Sequence, residues 1–151
     1  MNLGIPYVEF TVPPGTARSI QRFYEVVFGS PGKIEENGHG PAAVIEAGPL
    51  QSLVFRESEQ LPEYDGHHLA IYVANFSSPF QWLEERKLIS EGIRNHQFRF
   101  KEIVDPDTAK PVFTIEHEVR STRHPLFKMP LTNRDPASPP MVMMGRAPAP
   151  S

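Results

Sequence analysis

Three short segments of this chain place acid, base or hydroxyl groups at every second residue. In Tyr7-Val8-Glu9-Phe10-Thr11-Val12 the alternation puts Tyr7, Glu9 and Thr11 on one strand face and Val8, Phe10 and Val12 on the other. His67 to Val73 repeats the pattern, with Leu69, Ile71 and Val73 opposed by His68, Ala70 and Tyr72. In Val112 to Val119, Phe113 and Ile115 mark the apolar side, which leaves Thr114, Glu116 and Glu118 together. If these polar faces line one cavity, their chemistry is proton transfer. Crowded carboxylates raise one another's pKa towards the range of general acid and base catalysis. Glu9, His68 and Glu116 are then the candidate catalytic set, with Tyr7, Thr11, Tyr72, Thr114 and Glu118 as cavity wall. The same groups equally suit binding of a cationic or hydroxylated ligand.

Other polar residues read as structural. His67 faces away from His68, so the pair does not chelate. His117 falls on the apolar side of its strand and reads as a satisfied core or interface histidine. Arg120, Arg123 and His124 form a basic cluster that either holds an anion or pairs with carboxylates. Arg99 and Lys101 alternate with Phe98 and Phe100, a half-buried strand pattern that lets either cation reach a cavity mouth. Phe80 and Trp82 read as helix packing.

The elements that must position these groups follow from periodicity and breakers. Pro13-Pro14-Gly15 ends the first strand, and Thr16 is the expected cap of a helix carrying Ala17, Ile20, Phe23, Tyr24, Val27 and Phe28. Gly29 and Pro31 stop it. Lys33 to Glu36, Ala42 to Glu46 and Leu50 to Arg56 read as strands, with a Gly38-His39-Gly40 hairpin turn. After the loop from Glu57 to Gly66 the pattern restarts. A strand at His67 to Val73 precedes a weaker helix marked by Phe80, Leu83, Lys87 and Leu88. Strands at Gln97 to Val104 and Val112 to Val119 follow, joined by an Asp105-Pro106-Asp107-Thr108 turn. The order is β-α-β-β-β twice, in units 5–57 and 66–119 of a domain spanning 1–120. Residues 121–151 hold seven of the 17 prolines and read as an extended arm. Its first part, near His124 to Leu131, is expected to pack on the domain or a partner. Met141 to Met144 are apolar enough to dock, and the end is expected to be disordered.

Composition narrows the function classes. The 151 residues suffice for one domain with a real core. A net charge of −3 with interspersed signs offers no basic face for nucleic acid. The absence of cysteine excludes disulfides, thiolate metal sites and a Cys nucleophile, and fits a reducing, cytoplasmic setting. No stretch has the roughly 20 apolar residues of a membrane span, and Met1 to Phe10 does not read as a secretory signal.

Phe23-Tyr24-Glu25-Val26-Val27-Phe28-Gly29 resembles the helix end of vicinal oxygen chelate proteins, the glyoxalase, bleomycin-resistance and extradiol dioxygenase group. His68 to Val73 is similar to that group's fifth strand, and Asp105-Pro106-Asp107 to its turn before the last strand. The resemblance spans Tyr7 to Val119. It implies an α+β fold in which two βαβββ units form a curled mixed sheet around a cavity, with helices outside. In the metalloenzymes of this group, strands one, four, five and eight each supply a ligand. Carried over, His68 takes the fifth-strand position and Glu116 the eighth, with Thr114 as the alternative. Tyr7 stands at the first position, and the fourth falls near Ser52 to Val54, without a carboxylate. A substitute set of His68, Glu116 and Glu9 would offer nitrogen and oxygen to a divalent Mn, Fe, Ni or Zn ion. The alternative is a cavity-wall His68 hydrogen-bonded to Glu116 or Tyr7. The resemblance thus implies either a glyoxalase-like lyase, isomerase or related enzyme acting on a small oxygenated metabolite, or a metal-free, homodimeric ligand-binding protein of the bleomycin-resistance type.

Overall fold

The computed structural model describes residues 5–128; the end of the proline-rich arm, with Met141 to Met144, lies outside the described residues. The first unit consists of β1 (Tyr7–Val12), α1 (Ala17–Phe28), β2 (Gly32–Asn37), β3 (Gly40–Gly48) and β4 (Gln51–Glu57). The second consists of β5 (His68–Val73), α2 (Ser77–Glu85), β6 (Ile89–Arg94), β7 (Gln97–Val104) and β8 (Pro111–Ser121). They form two four-stranded sheets, ordered β1-β4-β3-β2 and β5-β8-β7-β6, curled but not closed. In each sheet the first strand runs parallel to the last and the remaining pairs are antiparallel. The fold is therefore α+β with an internal duplication, as the alternating segments implied.

Helix α1 forms where its apolar spacing says it should, with Ala17, Ile20, Phe23, Tyr24 and Val27 buried along one stripe. Thr16 stands at the N-cap, but its hydroxyl bonds back to the Pro13 carbonyl at 2.6 Å and makes no cap bond. The first amide, Ala17 N–H, is instead taken by the Glu57 carboxylate at 2.8 Å, from the far end of β4. A carboxylate there also opposes the positive end of the helix dipole. Gly29, at φ 63°, closes the other end: its N–H reaches the Glu25 carbonyl and that of Ser30 reaches Tyr24. Helix α2 is shorter than its periodicity suggested. It ends at Glu85, so Lys87, at φ 58°, and Leu88 lie beyond it. Arg86 lies over the Trp82 ring at 3.8 Å.

One apolar core serves both units. It joins Val12, Ile20, Phe23 and Phe55 to Phe98, Phe100, Ile115 and Val119. Helix α1 packs on β2, β3 and β4 of its own sheet and on β7, β8 and α2 of the other unit. Phe23 stands edge-on to Trp82 at 5.9 Å and 5.8 Å from Phe100, while Phe55 meets Phe113 at 6.2 Å. The apolar faces of both sheets therefore drain into one shared layer, which leaves the opposite faces to the polar residues.

Two local features go beyond the sequence reading. Strand β6 has no clear sequence signature, because it is an exposed edge carrying Gly92 and pairs with β7 only at Ile89, Glu91 and Arg94. The Asp105 turn is a tethered structure rather than a free loop. One Asp105 oxygen accepts the amides of Asp107 and Thr108, the other the Ser19 hydroxyl at 2.6 Å, and Arg22 pairs with Asp107 at 3.0 Å. The Ser19 hydrogen bond and those amides hold the Asp105 carboxyl at about 2.

The shared core gives a direct expectation. Truncating Phe100→Ala removes a ring packed between Phe23, Phe28 and His117 and should cost about 3–5 kcal/mol. Urea denaturation should show one transition at a lower midpoint with the slope unchanged; two transitions would mean that the units fold separately.

Candidate functional site

The parallel pairing of β5 with β8 sets His68 opposite Glu116, Ala70 opposite Glu118 and Tyr72 opposite Arg120. On the other side of β8, β7 sets Arg99 opposite Glu118 and Gln97 opposite Arg120. Because side chains alternate across a sheet, these residues share the face turned away from the core. Arg99 lies at its centre. Its Nη1 donates to Glu116 Oε1 at 2.8 Å and its Nη2 to Glu118 Oε2 at 2.7 Å, while Nε stands 3.3 Å from Glu91 on β6. Arg120 holds the other oxygen of Glu118 through Nε at 2.6 Å and through Nη2, and gives Nη1 to the Tyr72 hydroxyl at 2.9 Å. Lys101 stands 3.6 Å from Glu116.

Glu118 is thus a carboxylate with only 4% of its side chain exposed, held between two guanidiniums. Such burial is tolerable only because charge-assisted hydrogen bonds replace the lost water. His68 is different. Half of its side chain is exposed, and its nearest acid is Glu118, at 3.9 Å, too far for a hydrogen bond. The expected bond from His68 to Glu116 or Tyr7 is not formed; Glu116 is engaged by Arg99 and Lys101. Thr114 is held by the Glu102 carboxylate at 3.1 Å.

The first sheet repeats this logic. Tyr7, Glu9 and Thr11 on β1 face Ser52, Val54 and Arg56 on β4. Arg56 grips both oxygens of Glu9, at 3.0 and 3.1 Å, and also reaches Asn37 and the Gly40 carbonyl. Glu9 therefore belongs to a different sheet from His68 and Glu116, and its carboxylate is neutralised in place. Among the described residues no three His, Asp or Glu side chains converge as a metal-ligand set. The residues present do not fit a divalent ion. The fourth-strand position holds Ser52 and Val54, and a guanidinium already sits between the carboxylates of β8.

Behind the polar face, the alternate residue of β8 does the opposite job. His117 is fully buried, stacked on Phe100 at 4.2 Å. Its Nδ1 donates to the Ile115 carbonyl at 2.9 Å, so its Nε2 is the acceptor for the Tyr24 hydroxyl at 2.6 Å. Burial lowers the His117 pKa to about 4 and raises that of Tyr24, so both stay neutral. This is the satisfied core histidine that its parity suggested, and it ties α1 to the second unit. Past β8, His124 is buried against Gln97 at 3.0 Å and Phe127 packs on Tyr72 at 5.3 Å. Arg120, of the basic cluster, is carboxylate-paired.

Two clefts flank this region. One, of about 300 Å³, runs between Glu9, Phe10 and Thr11 on one side and Tyr64, His67 and Phe113 on the other. His67 stacks on Phe10 at 5.9 Å, and its Nδ1 is held by Asp65, whose carboxyl this hydrogen bond pulls down. Tyr64 donates to the His67 carbonyl and accepts the Glu116 amide. The other cleft, of about 280 Å³, lies between Tyr7, Val8 and Leu53 and Leu69, Ile71 and Tyr72. The sequence reading named the acids and His68 but assigned no partner to Arg99, Arg56 or Glu91. Strand alternation already put Arg99 and Lys101 on one face; only the register showed which carboxylates they meet.

No family model matches the chain, and no curated protein matches it in sequence. Solved structures do. A possible glyoxalase from Bacillus cereus superposes with a TM-score of 0.57 at 16% identity, over 79% of this chain and 99% of that one. The antibiotic-binding protein TnmS3 from Streptomyces sp. CB03234 gives 0.54 at 19% identity, over 80% and 98%. A mutant of the fosfomycin resistance protein FosX from Listeria monocytogenes, in complex with Mn(II) and 1S,2S-dihydroxypropylphosphonic acid, gives 0.54 at 12% identity, over 80% and 93%. These likenesses show the fold: two βαβββ units of the glyoxalase, bleomycin-resistance and dioxygenase type.

Glu118→Ala leaves two guanidiniums without their carboxylate and should cost about 3–5 kcal/mol. Tyr24→Phe strands the His117 acceptor and should cost about 1–3 kcal/mol. Between pH 6.5 and about 4 the folded chain binds fewer protons than the unfolded one, because buried His117 stays neutral. Stability should therefore fall as pH drops through that window, and denaturation midpoints of a His117→Leu, Tyr24→Phe variant should lose the His117 share of that dependence, leaving the part set by His124, whose pKa burial also lowers.

Proposed function

We propose that the chain is a metal-free ligand-binding protein of the bleomycin-resistance type, working as a homodimer on a small oxygenated molecule. The observation that carries this reading is Arg99 bridging Glu116 and Glu118 at 2.8 and 2.7 Å. The carboxylates that would otherwise serve a metal or a proton transfer are committed to a guanidinium. What the face still offers a ligand is half-exposed His68 and Lys101 and the Tyr72 ring. Those are hydrogen-bond donors and an aromatic wall for an oxygen-rich partner.

The dimer is argued from edges. β1 and β5 each pair on one side only, and Tyr7, Val8 and Tyr72 on them are exposed at 58%, 43% and 37%. Unpaired strand edges with exposed aromatics invite pairing with another chain. A second copy laid along them would also wall in the polar faces. No helix among the described residues is long and apolar enough to cross a membrane. The cysteine-free composition favours the cytoplasm, and the charge balance argues against nucleic acid.

A glyoxalase-like enzyme is the second reading, and the exposed imidazole of His68, 3.9 Å from Glu118, favours it. His68 would move the proton while Arg120 and Tyr72 hold a substrate oxygen. Retention of any activity found by a His68→Ala, Glu116→Ala variant would sink it.

Sedimentation at tens of micromolar should show a dimer that Val8→Asp dissociates; a wild-type monomer would overturn the assembly. A thermal-shift screen of hydroxy acids, phosphonates and glycosylated antibiotics should find a ligand that raises stability by about 2.7 kcal/mol at a hundred times its Kd. Tyr72→Ala should abolish that gain.

A further inference from the structure

The central position of Arg99 has a consequence for what the face can bind. Three carboxylates, Glu91, Glu116 and Glu118, surround its guanidinium at 3.3, 2.8 and 2.7 Å. Three cations face them: Arg99, Lys101 at 3.6 Å from Glu116, and Arg120 on Glu118. The charges cancel on this face. Each carboxylate meets a different nitrogen of the group, so what holds Glu91, Glu116 and Glu118 near one another is the guanidinium supplied by β7.

We infer that Arg99 stands in the place of a divalent cation, and that it is the residue that keeps this face metal-free. Its guanidinium supplies the positive charge that lets Glu118 stay buried as a carboxylate. Its two Nη donors fix the spacing of Glu116 and Glu118, as a bridging metal would. Removing it leaves three carboxylates against two cations, with the His68 imidazole 3.9 Å from a Glu118 oxygen. Glu116, Glu118 and His68 do not converge as a ligand set with the guanidinium in place; freed of it, they offer the oxygen and nitrogen donors that Mn(II) takes. The inference shares the metal-free premise of the ligand-binding reading but not its ligand: a screen that finds no ligand leaves the role of Arg99 standing.

The test is Mn(II) titration of the full chain, followed by the electron paramagnetic resonance signal of the free ion. Wild type should show no saturable binding. Arg99→Gln should gain one site at least about tenfold tighter than any residual wild-type binding, and adding Glu116→Gln should remove it. Arg99→Lys, which keeps the charge, should resemble wild type. If Arg99→Gln does not fold alone, Mn(II) should restore its fold, since binding to the native state stabilises it. Saturable binding by wild type that Glu116→Gln abolishes would overturn the inference. So would a gain in Arg99→Lys equal to that in Arg99→Gln, or an Arg99→Gln chain that neither binds Mn(II) nor is restored by it.

Discussion

Strand β8 separates two environments that differ by the width of one backbone, and the second unit is arranged around it. On one side Ile115, His117 and Val119 enter the core; on the other, Glu116, Glu118 and Arg120 face outward. The pleat forces this alternation. Burying His117 requires that it be neutral and satisfied, which the Ile115 carbonyl and Tyr24 hydroxyl provide. Burying Glu118 on the opposite side requires a cation on each of its oxygens, which Arg99 on β7 and Arg120 on β8 itself provide. Without either solution, the strand would carry an uncompensated polar group into low dielectric.

The two units use the same electrostatic device with different parts. In the first, Arg56 on β4 grips Glu9 on the parallel neighbour β1. In the second, Arg99 on β7 spans two carboxylates of β8. In both, an arginine on one strand neutralises glutamate on the next, a planar donor fork matched to a carboxylate. Ion pairs thereby cross-link the polar residues of both sheets.

Helix α1 makes the duplication one body. Glu57 from β4 holds its first amide, and Ser19 and Arg22 meet the Asp105 turn of the other unit. Tyr24 reaches His117, and Phe23 packs on Phe100 and Trp82. Each contact crosses a long stretch of sequence, so neither unit completes its core alone.

Much of this was legible in the chain. Alternation placed Tyr7–Val12 on a strand with the observed bounds and gave the fifth strand as His67 to Val73, one residue longer than the observed His68–Val73; it also assigned His117 to the core and Glu116 and Glu118 to the polar face. Apolar spacing and Gly29 bounded α1. Those features are local: a pleat or a helical turn fixes where a side chain points within a few residues. Edge strand β6, bulged and exposed, had no such pattern to show, and Thr16 held the cap position while Glu57 made the bond. The pairings that decide the chemistry were equally invisible. That Arg99 meets Glu116, that Arg56 takes Glu9, and that His68 is left without a hydrogen-bonded acid depend on strand register and on the reach of long side chains. Sequence sets the face a residue occupies; only packing of the strands against one another sets which charge it finds there.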